Sequence, residues 1–212
     1  IILFPDVPLS STAFILDTMR CIVRLAFPIF AFLIAEGVVM TRSLPRYLGR
    51  LALFTIISEP FYYFAFTPEA TAAGLLRHFT RLRFTSVFAT FTLSVLMTLL
   101  FRLAGAKLGR KAPLVYVPVT VAGLLFAERI HCDYGALGVL LVILLYLAGS
   151  RGQKTAVICA WSILLYIVRQ IYDGFGFHLS YLSVWSVLYC LAAMSSAVLL
   201  WFYNGKRGRQ SK

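Results

Sequence analysis

The chain has 212 residues, 60% of them hydrophobic and only 13% charged, with a net charge of +12 and a mean hydropathy of +0.85. Soluble domains carry about 25% charged residues, so the composition excludes a soluble enzyme core and predicts an all-α, polytopic transmembrane bundle in a lipid bilayer. The basic balance is not a nucleic-acid footprint, because that would need a basic soluble module, and no nucleic-acid partner is expected.

Seven apolar segments succeed one another, at 13–41, 47–66, 84–101, 114–130, 134–149, 155–172 and 181–203. A spanning helix needs about 20 mostly apolar residues, and the alternation of a membrane barrel is absent. The whole of 1–212 reads as a single membrane domain. The opening IILFPD looks like the end of another span, so sequence is expected before Ile1 and a further segment after Lys212.

In the first element, Ser10, Ser11 and Thr12 are candidate caps, and Asp17, Cys21 and Arg24 share one stripe. Residues 24–37, RLAFPIFAFLIAEG, carry Arg24 and Glu36 at the two ends of an apolar run. After a turn at Ser43–Pro45, the second run places Tyr47 and Arg50 near its start and Glu59 near its end. Ionised groups in hydrocarbon usually face a partner, a cavity or a site. A reversal at Ser43 sets Glu36 level with Arg50 and Glu59 close to Arg24, which predicts two opposite-charge pairs. The competing reading is four helix-end anchors with snorkelling heads.

Residues 67–83 predict an interfacial amphipathic helix, with Leu75, Leu76, Phe79 and Leu82 on its apolar side and His78 and Arg81 on its polar side. A basic loop is expected at 102–112. HCDYGALG (131–138) sets His131, Asp133 and Tyr134 at the mouth of a short span, where Asp133 suits a helix cap as well as catalysis. Arg169 and Asp173, four apart, can pair on one helix, and 172–180 forms a loop holding His178. The last span ends in YNGKRG (203–208), where Asn204 and Lys206 suit a helix end and anionic headgroups, or the phosphates of a nucleotide-like donor. Cys21, Cys132, Cys159 and Cys190 follow no metal or disulfide spacing; Cys21 and Cys132 fall on one face, and the alternative to their pairing is that all four pack as small hydrophobes.

Alternating the loops puts thirteen basic residues and one acid, Glu36, on one side, against seven basic residues and seven acids on the other. The positive-inside rule makes the first side cytoplasmic, with the C-terminus on it. All three histidines then lie outside. An outer cleft of Arg24, Glu59, His78, His131 and Asp133 can do acid–base chemistry, while loop histidines at an interface are the plainer account. No Walker loop, GxGxxG, GxSxG or HExxH is present, and no metal is predicted.

RLAFPIFAFLIAEG together with TRSLPRYLGRLALFTIISEPFYYFAF resembles the TraX family, and DYGALG and YNGKRG resemble two further landmarks of it in the same order. FTSVFATFTLSVL (84–96) is similar to its third-span start, with Ser86 near the place of an Asn. The resemblance covers most of 20–208. It implies a bacterial inner-membrane acyltransferase related to F-pilin acetylase, with acetyl-CoA as co-substrate. The acceptor would be an amine, such as the amino terminus of a pilin, or a hydroxyl of another envelope protein or glycan. Placement at the outer face makes Arg24, Asp133, Glu59 and His131 the expected catalytic residues, and of these the family pattern maps onto Arg24 and Asp133. Glu36, Tyr47, Arg50, Tyr134, Asn204 and Lys206 are those expected to bind donor or acceptor. The family's Asp-His pair before residue 1 and its Tyr-Pro-x-His-Leu segment are absent here. The alternative is a non-catalytic multi-pass protein, either a small transporter or an assembly partner of a conjugation or envelope system.

Overall fold

The computed structural model describes residues 9–67, 70–81, 83–174 and 184–203; the side chains of 9–13, 17, 169–174 and 184–186 are not described. These residues form eight α-helices and one 3-10 turn, with no strand among them: α1 (Leu9–Met40), α2 (Leu44–Phe66), α3 (Ala72–Thr80), α4 (Val87–Leu108), α5 (Pro113–Ile130), α6 (Gly135–Leu147), α7 (Arg151–Gly174) and α8 (Val184–Trp201). The seven expected apolar segments each coincide with a helix, and the amphipathic segment is α3.

Three helical stretches among the described residues are long and apolar enough to cross a bilayer, namely Phe14–Met40, Val87–Lys111 and Pro113–Ile130. The outward faces are apolar too: Phe61, Leu114 and Phe202 are 72%, 76% and 80% exposed. Such surface is costly in water and costs nothing in hydrocarbon, so this is a multi-pass membrane protein. The 13 residues of α6 rise only about 20 Å, short of the roughly 30 Å of a hydrocarbon core.

Two boundaries differ from the expected ones. The basic stretch 102–112 is largely helix, because α4 continues through Arg102 and Lys107 on good helix formers and stops only at Gly109, with φ of 52°. The turn before α7 is correspondingly short. Ser150 Oγ accepts from Gln153 N–H at 3.2 Å, and Gln153 Oε1 accepts from Ser150 N–H at 3.0 Å, a reciprocal cap that starts the helix at Arg151.

The chain divides into two compact units, Ile1–Phe30 with Ala148–Lys212, and Ala31–Leu147. In the first, α7 and α8 pack together; Ile158, Trp161, Ser162, Ala193, Ser196 and Ala197 are buried on them, and Cys190 Sγ–H donates to Ser162 O at 3.7 Å. Phe27 of α1 stacks on Trp161, ring centroids 5.5 Å apart.

In the second unit α4 is the axis, packed against α2, α5 and α6. Its Ala89, Leu93, Met97 and Phe101 join Ala127, Ile130, Val139 and Ile143 in one cluster, and Val95 joins Val38, Leu44 and Leu51 in another. Thr55 and Thr92 hydroxyls share a hydrogen bond of 2.8 Å between α2 and α4. The α1–α2 hairpin closes at Gly37, where an added Cβ would stand 2.8 Å from the Tyr47 hydroxyl. Arg102 Nη2 donates to Val38 O at 2.7 Å and so ties α4 to the end of α1.

Candidate active site

The most constrained polar group in the second unit is Glu59, on α2 about two turns from the helix end and fully buried. A carboxylate in such a place needs donors, and the chain supplies them from the segment that enters α4. Thr85 N–H and Thr85 Oγ1–H donate to Oε1 at 2.6 and 2.9 Å, and Ser86 N–H donates to Oε2 at 3.1 Å. These main-chain groups precede α4, so Glu59 meets the orphan N–H groups and the positive end of that helix.

The fourth donor is His78, whose Nε2 lies 2.8 Å from Oε1. A carboxylate only accepts, so Nε2 carries hydrogen, and in the neutral ring Nδ1 keeps its lone pair. Among the described residues Nδ1 has no hydrogen-bond partner. The His78 side chain is 11% exposed, and its ring lies 5.1 Å from that of Tyr63. This corrects the expected polar placement of His78: the helix turns it inward because Glu59 offers a buried acceptor, while Arg81 and Leu76 are exposed. Close packing of Tyr63 on Gly74 holds α3 in that orientation, and Thr71 caps it by accepting from Gly74 N–H at 3.1 Å.

The 131–135 turn borders the same region. Thr90 of α4 donates its hydroxyl to the Asp133 carbonyl, and Phe84 N–H donates to Ile130 O at 3.0 Å. Tyr62 stands in the field of both Asp133 and Glu59 and beside the Val87 main chain. Ser86 is fully buried, and its hydroxyl has no hydrogen-bond partner among the described residues.

Asp133 is half-buried and accepts from Tyr134 N–H at 3.0 Å. The cap of α6 is shared, since Glu128 Oε1 accepts from Ala136 N–H at 2.7 Å. His131 ends α5 in the left-handed conformation, exposed, with Nδ1 donating to Glu128 O at 2.7 Å. Tyr134 also has a positive φ, 59°. Burial pushes the Cys132 thiol above its ordinary value; a Thr90 hydrogen bond opposes this, and the charges of Glu128 and Asp133 reinforce it.

Of the remaining expected site residues, Arg24 is half-buried on α1 in the first unit. Glu36 is buried on α1. Arg50 is exposed, its guanidinium 5.9 Å from the centroid of the half-buried Tyr47 ring. The partners the structure gives Glu59 are His78, Thr85 and Ser86, where the charge pattern pointed to Arg24. Asn204, Lys206 and His178 lie outside the described residues, as do the side chains of Arg169 and Asp173. Among the described residues no group of three or more His, Cys, Asp or Glu could hold a metal ion.

Fold and site together define an all-α, multi-pass membrane protein with a buried carboxylate–imidazole pair at the entry to α4, the axial helix of its second unit. The chain belongs to the TraX family: the family model described as TraX protein matches residues 11–212. It is similar to the "Probable fimbrial assembly protein FimC, serogroup H1" of Dichelobacter nodosus, 28% identical over 208 residues that cover 94% of this chain and 77% of the relative. No solved structure matches.

Proposed function

We propose that this protein is a bacterial inner-membrane acyltransferase that moves an acetyl group from acetyl-CoA to an amine or hydroxyl on the outer side. The observation that carries the reading is the Glu59–His78 pair. A carboxylate bonded to one ring nitrogen fixes the tautomer and leaves the lone pair on the other, the logic of a base–orienter pair. His78 Nδ1 takes the proton of the acceptor as it attacks the thioester carbonyl, and coenzyme A leaves as the thiol. The developing oxyanion calls for fixed donors or a cation; Arg24 is the cation proposed from the sequence, and Asp133 the carboxylate that orients the acceptor.

The donor approaches the basic side, across seven spans with the C-terminus cytoplasmic. Tyr47 with Arg50 offers an aromatic face and a cation for its nucleotide; Glu36, Asn204 and Lys206 are the further binding residues proposed from the sequence on that side, and Tyr134 on the acceptor side. The fimbrial assembly named for the relative fits an acceptor such as a pilin amino terminus.

A second reading has its own support. Glu59 is saturated by four donors and serves equally well as a structural staple, which suits a non-catalytic assembly partner. Labelled acetyl-CoA and a peptide amine, supplied to the full-length protein in vesicles, separate the two. Acetylated peptide and free coenzyme A are expected, with a loss of at least about 100-fold in His78→Gln. A folded protein that neither binds nor cleaves acetyl-CoA removes the enzymatic reading.

A further inference from the structure

Within the first unit, a groove of about 420 Å³ runs between α7 and α8, walled by Thr155, Cys159, Met194, Val198, Trp201 and Phe202 among others. The volume falls in the range of ligand pockets. Its walls are almost wholly apolar. Of its two hydroxyl residues, Ser195 already donates to Ala192 O at 2.7 Å. The start of α7 and the end of α8 line the groove together, so both mark its interfacial end, with Cys159 and Met194 deeper. Thr155 belongs to the first turns of α7, and the exposed Arg151 stands one turn earlier on the same face. Trp201 and Phe202, at the end of α8, provide the aromatic rings usual at a membrane interface.

We propose that this groove holds one acyl chain of an anionic phospholipid, with its phosphate against Arg151. A peptide segment would bring main-chain N–H and C=O groups that these walls cannot satisfy, each at a cost, whereas a hydrocarbon chain asks for none. The surface around the groove is already suited to lipid, with Ile163, Val198 and Leu199 exposed. Charge then selects the headgroup: a guanidinium beside an apolar slot favours a phosphate without a compensating ammonium. The site is independent of the Glu59–His78 pair and rests only on the membrane setting of the chain.

The test is photolabelling of the full-length protein in phosphatidylcholine vesicles, using phosphatidylglycerol and phosphatidylcholine probes with a diazirine on the acyl chain. Adducts from the phosphatidylglycerol probe should concentrate on the peptides holding Cys159, Met194 and Val198. Unlabelled phosphatidylglycerol should compete them away, and unlabelled phosphatidylcholine should not. Val198→Trp, which fills the groove from its exposed side, should remove the adducts of both probes. Arg151→Gln should lower the preference for phosphatidylglycerol about fivefold while keeping total labelling, and Arg151→Lys should restore it. Equal labelling of the groove by both probes in the unaltered protein makes the occupant ordinary boundary lipid and overturns the proposal. Displacement by acetyl-CoA, or adducts spread evenly around both helices, does the same.

Discussion

His78 on the nine-residue helix α3 and the fully buried Glu59 on α2 are joined by a hydrogen bond of 2.8 Å, so a short surface helix is pinned to the interior through one imidazole. The two partners carry unequal structural loads. Glu59 also holds Thr85 and Ser86 at the start of α4, whereas the His78 ring has, among the described residues, Glu59 as its one hydrogen-bond partner.

Glu59→Ala strands two main-chain N–H groups, a hydroxyl and an imidazole in a dry site. The expected loss of stability is about 3–5 kcal/mol, as for breaking a buried charged network. His78→Gln keeps an N–H that can reach Oε1 and should cost no more than about 1 kcal/mol. Unfolding of both variants in the same detergent checks the order. Equal stability of Glu59→Ala and the unaltered protein would mean that the carboxylate anchors nothing.

Gly135 is required twice. Its φ is +50°, and an added Cβ would stand 2.5 Å from Glu128 Oε1, the oxygen that accepts from Ala136 N–H. Gly135→Ala should therefore cost about 2 kcal/mol or more. Glu128→Ala should remove the clash but lose the cap, so the double variant should be less damaged than the sum of the singles, a coupling measurable by a double-mutant cycle. Strict additivity would show that the turn relaxes instead.

Much of the fold is legible in the sequence because hydrocarbon leaves helices little choice. The seven apolar segments, the short α6 and the amphipathic α3 all follow from hydrophobic run lengths and periodicity. The site is less legible. Glu59 stands out as a charge in an apolar run, but its partners come from the chain 19 to 27 residues later. Periodicity placed His78 with Arg81 on a polar face, since a period reports which residues share a side, not what the opposing helix offers. The one available signal was that Glu59 and His78 fall on the same side of the bilayer. His131 reads in the sequence as a histidine near Asp133, and the left-handed turn that ends α5 exposes its ring and uses its Nδ1 on the main chain.

Cys132 provides a pH dependence. Burial first, and the charges of Glu128 and Asp133 after it, hold its thiol above the ordinary 9.0, against a hydrogen bond from Thr90. The folded state then keeps the proton longer than the unfolded chain, so its contribution is full below the unfolded pKa and is lost as pH rises toward the folded one. Unfolding temperature should fall as the pH is raised past the ordinary thiol range, and Cys132→Ala should flatten that fall while lowering stability at neutral pH. Parallel pH curves for the two proteins would assign the alkaline loss to another group.

The orientation is testable with single cysteines in an otherwise cysteine-free background. Thr71→Cys, the exposed cap of α3, should react with an impermeant maleimide added outside intact spheroplasts. Lys107→Cys, on the last turn of α4, should react only after lysis. The expectation rests on the thirteen-to-seven division of basic residues. The reverse pattern would move the donor to the other face and remove the assignment of His78 to the acceptor side.

The last prediction separates the two histidines. If proton transfer runs through His78, His131 serves only to end α5. Asn tolerates the left-handed conformation better than most residues, so His131→Asn should keep the turn, with stability within about 0.5 kcal/mol and an unchanged rate of acetyl transfer. His78→Gln keeps the hydrogen bond to Glu59 but has no lone pair to take a proton, so its rate should fall at least about 100-fold with KM for acetyl-CoA unaltered, because the donor side is not touched. A loss of rate in His131→Asn with full activity in His78→Gln would return the base to the 131–138 turn. The Glu59–His78 pair would then be a structural clamp on α3 and nothing more.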